Sequence, residues 1–490
     1  MNLAEVLLRP ATEAPDAAAL HEGGTTLEHA DLAERAGRFA GLLAAGGIGP
    51  GQRVAICAPN GVGFVVAYLG ALTVGAVAVP LNPLAPSAEL VSELDVVDAS
   101  VVVTDVGAAR DAAGGRRVVV PPDDLAALED VAPLPLAGRA DDDPAALLFT
   151  SGTAGPPKAA TLTHGNLAAN LRQVQSHPGL ALRSDDVGFG ALPFFHVFGL
   201  NVALGLTLAA GASLVIVPAF GATALEEITA RGVTVLAGVP GMYQAWLTDP
   251  GAAPDAFASV RLAVSGAAPL ADEVATGCRE RFGLVIHQGY GLTEASPIVT
   301  TTALAGEPRP GSIGPPLPGV EVRLVDDDGT DVLVGDPGEV WVRGPNVFAG
   351  YWNDAAASER ALSPDGWLRT GDIAVADADG ELSIVDRTKD LVIVSGFNVF
   401  PAEVEEVLRD GAGVADVAVV GEPDQRTGEA VVAFVVPAPG ESPHPEQLRA
   451  LAHEHLARYK CPTRIEIVDR LPRTAVGKVL RRELRGEAAT

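Results

Sequence analysis

The residues most able to do chemistry lie in the segment Leu147–Lys158, LLFTSGTAGPPK. An apolar strand runs into a loop with hydroxyls at Thr150, Ser151 and Thr153, glycines at Gly152 and Gly155, Ala154 between them, and Lys158 at the end. Glycines let backbone N–H groups approach an anion, hydroxyls donate further bonds, and the lysine adds a point charge; together they suit a polyphosphate. The spacing is not that of a Walker loop, since no Gly-Lys-Ser/Thr closes it. There is also no Gly-x-Ser-x-Gly elbow, so Ser151 is not expected to be a hydrolase nucleophile. Lysine usage singles out further positions. Of 34 basic residues only Lys158, Lys389, Lys460 and Lys478 are lysines. An ammonium is a compact charge that a planar guanidinium cannot replace everywhere, so each retained lysine is a functional candidate.

The elements that must hold these residues alternate. Leu27–Ala45 has helical apolar spacing, Arg53–Ala58 reads as a strand entering a Pro59-Asn60 turn, Phe64–Thr73 as a small-residue helix and Ala76–Pro80 as a buried strand. Such alternation predicts α/β layers. Pro121–Asp143 is an acidic, proline-marked connector, and a second α/β stretch follows to about residue 296. Residues 310–385 are strand-rich with Gly/Pro/Asp turns, which suggests a small barrel or sandwich. Beyond Asp386 come a strand at Leu391–Val394, a helix at Pro401–Arg409, strands at Val414–Val420 and Ala430–Val436, a helix at Pro445–Tyr459, a strand at Arg464–Val468 and a short basic helix at Lys478–Arg485.

Composition narrows the function. The chain has 490 residues and a formal net charge of −28, which argues against a nucleic-acid binder and against docking on anionic membranes. Val54–Ala88 and Val187–Leu225 carry no charge, yet Pro, Gly and Asn interrupt both. They read as strand–helix–strand in a covered sheet, so no integral membrane segment is expected. Cys57, Cys278 and Cys461 lie far apart without a CxxC pair, and the N-terminus lacks a signal-peptide pattern; a cytoplasmic protein is expected.

Downstream of the phosphate loop stand TLTHGNLAAN (Thr161–Asn170), LPFFHVFG (Leu192–Gly199), VSGAAPL (Val264–Leu270), QGYGLTEASP (Gln288–Pro297), GWLRTGD (Gly366–Asp372), DRTKDLVIVSGFNVFPAEVE (Asp386–Glu405) and LPRTAVGK (Leu471–Lys478). In this order the motifs resemble the adenylate-forming superfamily of acyl-CoA synthetases, luciferases and peptide-synthetase adenylation domains, over nearly the whole chain. The resemblance implies an α/β fold. A large N-terminal domain, residues 1–386, would combine α/β subdomains with a small β-barrel near 310–385. A small mobile α+β C-terminal domain, 387–490, would follow a hinge near Lys389.

It also implies roles. Thr150–Lys158 would hold the β- and γ-phosphates of ATP. Gly266, Ala267 and Ala268, with Gln288, Gly289, Tyr290 and Gly291, would wrap the adenine. Thr293 would touch the α-phosphate, Glu294 would ligate Mg²⁺, and Asp372 with Arg387 would contact the ribose. His196 would line the acyl pocket near the reacting carboxylate. Lys478 would bridge that carboxylate and the α-phosphate, and the turn Ser395-Gly396-Phe397 would then face the pantetheine channel of CoA. Two positions depart from the common pattern: Ala154 replaces a frequent Thr or Ser, and Ala159 a frequent Gly.

The expected reaction is acid plus ATP to acyl-AMP and pyrophosphate, then CoA to acyl-CoA and AMP. Phe195-His196 stands where peptide-synthetase domains carry an Asp for an amino group, so an amino-acid substrate is not expected. The apolar stretch Gly238–Leu247 would line the pocket, which puts medium- to long-chain fatty acids first and aryl acids second. An enzyme that loads a carrier protein instead of CoA is an alternative; so is a non-catalytic nucleotide-binding relative, which should lack Glu294 or Lys478. A homodimer is compatible with the family.

Overall fold

The computed structural model describes all residues except 123–127, 151–156, 222, 305–307, 327, 388–389, 395–396, 425–426, 457, 475–476 and 487–490; at 386, 387, 397, 398 and 428 it describes the backbone alone. The chain packs as two compact units, Met1–Val322 with Val342–Leu368, and Arg323–Trp341 with Arg369–Thr490.

The first unit is layered α/β. Its larger sheet has eight strands in the order Ile298–Thr301, Ile286–Gly291, Leu262–Ser265, Val235–Gly238, Val187–Gly190, Ser213–Ile216, Ala18–Glu22 and Thr25–Glu28. The inner neighbours are parallel and the pairs at both ends antiparallel. The second sheet runs Arg117–Val119, Val101–Val103, Arg53–Ile56, Val77–Pro80, Pro144–Thr150, Lys158–Thr163. Its last two strands pair antiparallel, with Thr150 opposite Lys158. The strands are short unbroken apolar runs because helices cover both faces.

Both charge-free stretches are largely core, with exposed turns near Leu84 and Phe220. Val62–Thr73 is a helix buried on every side, between the strands Arg53–Ile56 and Val77–Pro80. Val187–Leu225 holds two strands around a π-helix at Phe198–Leu206. Among the described residues no helix is long and apolar enough to cross a membrane. Asn60 and Asn201, which interrupt these runs, are buried and bonded, as polar groups in a core must be. Asn60 donates to the carbonyls of Gly190 (3.2 Å) and Leu192 (2.8 Å) and accepts from the Phe194 N–H at 2.9 Å. Asn201 donates to Leu167 O and Ser296 O.

In the second unit Leu368–Ala376 pairs antiparallel with Leu382–Arg387, part of the strand-rich, curled stretch expected from the turns. Farther on, Val414–Asp424 and Gly428–Pro437 form a long hairpin that Arg464–Ile467 joins in parallel and Val392–Val394 joins antiparallel. Val404 and Leu408 of the helix Pro401–Arg409, with Leu448 and Ala452 of Pro445–His455, fill one face of that sheet. Leu471, with Val479 and Leu484 against it, covers the other.

Several expected bounds shift. Helical spacing read from Leu27 becomes helix only at His29, because Leu27 pairs in the strand Thr25–Glu28. The strand expected at Val414–Val420 continues to Asp424, because antiparallel pairing persists to Asp424 opposite Gly428. The helix expected to reach Tyr459 stops at His455, where Leu456 turns extended. The basic helix expected over Lys478–Arg485 shrinks to Arg481–Leu484, because Arg473 bridges Val479 and draws Lys478 into a hairpin.

Candidate active site

Thr150 ends one strand and Lys158 opens its partner, so the pairing register sets the two described ends of the phosphate segment face to face. Ser151, Gly152, Thr153, Ala154 and Gly155 lie outside the described residues. The strand Lys158–Thr163 is zipped on its other side to Ala349–Trp352: Thr161 N–H donates to Gly350 O at 2.9 Å, Ala349 N–H to Thr161 O at 3.0 Å, and Trp352 N–H to Ala159 O at 2.8 Å. This places the Tyr351 ring under Lys158, whose Nζ lies 5.6 Å from the ring centroid. The Tyr351 hydroxyl donates to Glu294 Oε1 at 2.6 Å, and Phe348 meets the ring edge-on with centroids 5.0 Å apart. One tyrosine therefore joins the two charged groups expected to handle ATP and its metal. Burial first, then the charge and hydrogen bond of Glu294, push the Tyr351 phenol well above its ordinary pKa, so it stays a donor.

Glu294 sits on the short turn Thr293–Ala295, and a buried polar network fixes that turn. Asn346 donates to Ala295 O (2.8 Å), Ser296 Oγ donates to Asn346 O (2.8 Å), and Asn201 donates to Ser296 O (2.8 Å). Asn170, from the TLTHGNLAAN segment, donates to Ile298 O and accepts from Ile298 N–H. Gly291, just before the turn, cannot be replaced: a Cβ there would stand 2.0 Å from Pro297 O.

The adenine-wrapping candidates meet at the ends of adjacent parallel strands. Gly266, Ala267 and Ala268 follow Leu262–Ser265; Gln288, Gly289, Tyr290 and Gly291 close Ile286–Gly291. Gln288 Oε1 accepts from Leu270 N–H at 3.2 Å and ties one loop to the other strand. Ala267 holds φ +69° and Ser296 φ +71°, a left-handed backbone uncommon for non-glycine residues and concentrated at functional sites. His196 is half-buried on the loop that Asn60 clamps. Its Nδ1 accepts from Phe198 N–H at 3.3 Å, which in the neutral ring leaves the proton on Nε2. Burial divides the stretch Gly238–Leu247, expected to line the acyl pocket, residue by residue. Met242, Tyr243 and Trp246 are buried in the core, Tyr243 donating to Val264 O at 2.9 Å.

In the second unit Asp372 lies opposite Arg387 in the antiparallel ladder, so the candidate ribose pair is brought together. Lys389, Ser395 and Gly396 lie outside the described residues; Val394 and Phe397 on either side of the latter two are cross-strand partners. Lys478 sits in a hairpin closed by Thr474 N–H to Lys478 O at 2.8 Å and by Lys478 N–H to Thr474 Oγ1 at 3.1 Å. Lys460, the lysine without an expected role, is structural: its Nζ lies 2.6 Å from both carboxylate oxygens of Glu403.

Tyr351, Asn60 and Asn346 escaped the sequence reading. Asn60 and Asn201 did carry a signal, since an amide inside an uncharged apolar run must find buried partners.

A doubly wound scaffold with a cation and a carboxylate on one tyrosine, beside glycine-rich strand ends, defines a nucleotide-using enzyme. Residues 7–352 match the AMP-binding enzyme family and residues 403–478 the AMP-binding enzyme C-terminal domain. The chain is 40% identical over 484 residues to a feruloyl-CoA synthase of an Amycolatopsis species, covering 98% of this chain and 97% of that protein. It is 36% identical over 531 residues to a long-chain-fatty-acid–CoA ligase of Yersinia pestis, covering 99% and 94%. The structure of ATP-bound MatB from Rhodopseudomonas palustris matches with a TM-score of 0.93 at 34% identity, over 99% of both chains. The chain belongs to the AMP-binding, adenylate-forming enzyme family and is an ATP-dependent, AMP-forming acid–CoA ligase.

Proposed function

We propose that this enzyme activates an apolar carboxylic acid, with the phosphates of ATP held at Thr150–Lys158 and the metal at Glu294. The observation that carries this reading is the Lys158–Tyr351–Glu294 arrangement, which sets a phosphate-binding cation and a hard oxygen donor on one side chain. A single carboxylate suits Mg²⁺, which is commonly held by one or two carboxylates plus substrate phosphates. When bound, the ion would neutralise charge on the departing pyrophosphate.

The substrate carboxylate is already a nucleophile at neutral pH. Its oxygen attacks the α-phosphorus, the bond to the β-phosphate oxygen breaks, and pyrophosphate leaves. Lys478 holds the two anions together at that moment. The C-terminal part then swings about a hinge near Lys389 and presents Ser395-Gly396-Phe397 to the pantetheine arm. The CoA sulfur attacks the acyl carbon, the acyl–phosphate bond breaks, the thiol proton goes to solvent and AMP leaves. Asp372 and Arg387 hold the ribose, and His196 faces the reacting carboxylate. The three cysteines are buried and joined in no disulfide among the described residues, which suits a cytoplasmic location.

For the acid, one observation moves aryl acids ahead of long chains. Met242, Tyr243 and Trp246 pack into the core, which favours a compact acid over a long chain. The test is pyrophosphate release with octanoate, palmitate, benzoate, coumarate and ferulate, with and without CoA. We expect CoA-dependent AMP formation with kcat/KM for an aryl acid at least about tenfold above that for palmitate. A steady rise with chain length up to palmitate would restore the fatty-acid reading. Acyl transfer to a phosphopantetheinyl protein but not to CoA would remove CoA as acceptor.

A further inference from the structure

The hairpin that carries Lys478 is pinned to its own unit by two arginines of unequal weight. On the near side Arg473 reaches Asp416 and the Gly477 carbonyl. On the far side Arg481 donates to Val419 O at 3.2 Å, to Glu405 Oε1 at 2.7 Å and to Asp390 Oδ2 at 3.3 Å. Glu405 Oε1 also accepts from Val419 N–H at 2.8 Å, and Asp390 lies 3.6 Å from Arg485. The side chains of Arg473 and Asp416 are 40% and 32% exposed, a setting in which ion pairs contribute little. Those of Arg481, Glu405 and Asp390 are 19%, 11% and 8% exposed, so removal of the guanidinium takes a charge partner from two carboxylates that have little water, leaving Glu405 the Val419 N–H and Asp390 the more distant Arg485.

These anchors of Arg481 come from different places. Val419 lies on the long strand beneath the hairpin, Glu405 on the helix Pro401–Arg409, and Asp390 directly follows Lys389 in the chain. We infer that Arg481 is a positioning residue for Lys478: it locks the lysine hairpin to the strand, the helix and the residue beside the proposed hinge. Hinge segment and lysine then move as one piece, and the lysine arrives at a fixed height. The inference rests on the reading that Lys478 serves adenylation.

The experiment uses the full-length enzyme and separates the half-reactions: acid-dependent ATP–pyrophosphate exchange, and transfer from supplied acyl-adenylate to CoA. Arg481→Met keeps the stem and removes the guanidinium. It should lower kcat of exchange about 20-fold, leave KM for ATP within about twofold, and leave transfer within about threefold. Arg481→Lys should recover only part of the loss, since an ammonium cannot span three acceptors in a plane. Should Arg481→Met fail to fold, Glu405→Gln, which keeps the shape, should show the same split with about a fivefold loss. Because Arg481 acts through Lys478, Arg481→Met added to Lys478→Ala should cost less than about twofold more in single-turnover adenylation. Equal damage to both half-reactions, or an additive loss in the double variant, overturns the inference. If Lys478→Ala alone leaves exchange intact, it is the underlying assignment of Lys478 that fails. If Lys478→Ala is inactive and Arg481→Met is not, only the role of Arg481 fails.

Discussion

Replacing Tyr351 by Phe removes one oxygen from the site and leaves everything else in place. The ring still lies under Lys158 and against the edge of Phe348; what disappears is the 2.6 Å O–H···O bond to Glu294. Hydrogen bonds to charged groups are worth roughly 1.5–3 kcal/mol. Glu294 is half-buried, so water can replace part of the donor and the lower figure applies. A loss of about 1.5 kcal/mol is close to a tenfold drop in kcat/KM. Because the bond orients the carboxylate proposed for the metal, the drop should show as a KM for Mg²⁺ raised about tenfold in acid-dependent ATP–pyrophosphate exchange, with little change in thermal stability. Tyr351→Leu also removes the ring from under Lys158, a cation–π contact of about 0.5–1 kcal/mol, and should cost a further factor of about three. An unchanged Mg²⁺ dependence in Tyr351→Phe, beside an inactive Glu294→Gln, would refute the reasoning.

Three other outcomes are expected. Burial, with the charge of Glu89 behind it, pushes the Glu93 carboxyl up to about 8, and its Oε2 has no hydrogen-bond partner among the described residues. Between the ordinary value of 4.5 and 8 the folded chain keeps a proton that the unfolded chain releases, so this group's stabilisation fades as pH rises across that window. Glu93→Gln should therefore gain a few degrees of melting temperature at pH 8 and almost nothing at pH 5, and an equal gain at both would contradict the assignment. Burial also lifts the Cys57 thiol to about 12 and that of Cys278 to about 11, so an aromatic disulfide reagent at pH 8 should label them only after denaturation; rapid labelling of the native enzyme would show that these sites open. Finally, Gly396→Leu should keep pyrophosphate exchange and block thioester formation, whereas Lys478→Ala should do the reverse with supplied adenylate. Four rates decide it, and matching losses would exclude two separate roles.

What the sequence reveals here is what local physics controls. Pro401 at a first turn and Gly411 beyond the end bracket the helix Pro401–Arg409, and the structure keeps both bounds. The apolar runs read as strands at Arg53–Ala58 and Ala76–Pro80 are strands over Arg53–Ile56 and Val77–Pro80, and the charge-free helix between them is core. The lysines at 158 and 478 stand out because the chain otherwise chooses arginine. What stayed hidden depends on long-range contact. Tyr351 meets Glu294 across 57 positions and Asn60 meets Phe194 across 134, and no periodicity announces such meetings. Lys460 looked unexplained until its partner Glu403, also 57 positions away, came into view. The fate of Gly238–Leu247 was likewise undecidable from composition, since an apolar helix face can fill a core or line a cavity equally well.

The scarcity of lysine has a consequence for observation. A 50.0 kDa chain usually presents so many side-chain amines that their signals overlap, yet this one has four. Their surroundings differ: Lys158 stands over the face of Tyr351, and Lys460 is clasped by both oxygens of Glu403. Isotope placed on lysine alone would give a spectrum of four lines. Ring currents of Tyr351 and Tyr459 should displace the Lys158 and Lys460 lines, and the Lys460 line should then stay still as an internal reference. Added nucleotide would move the first and not the second, so the proposed phosphate end of the site could be watched directly, in solution and without an attached probe.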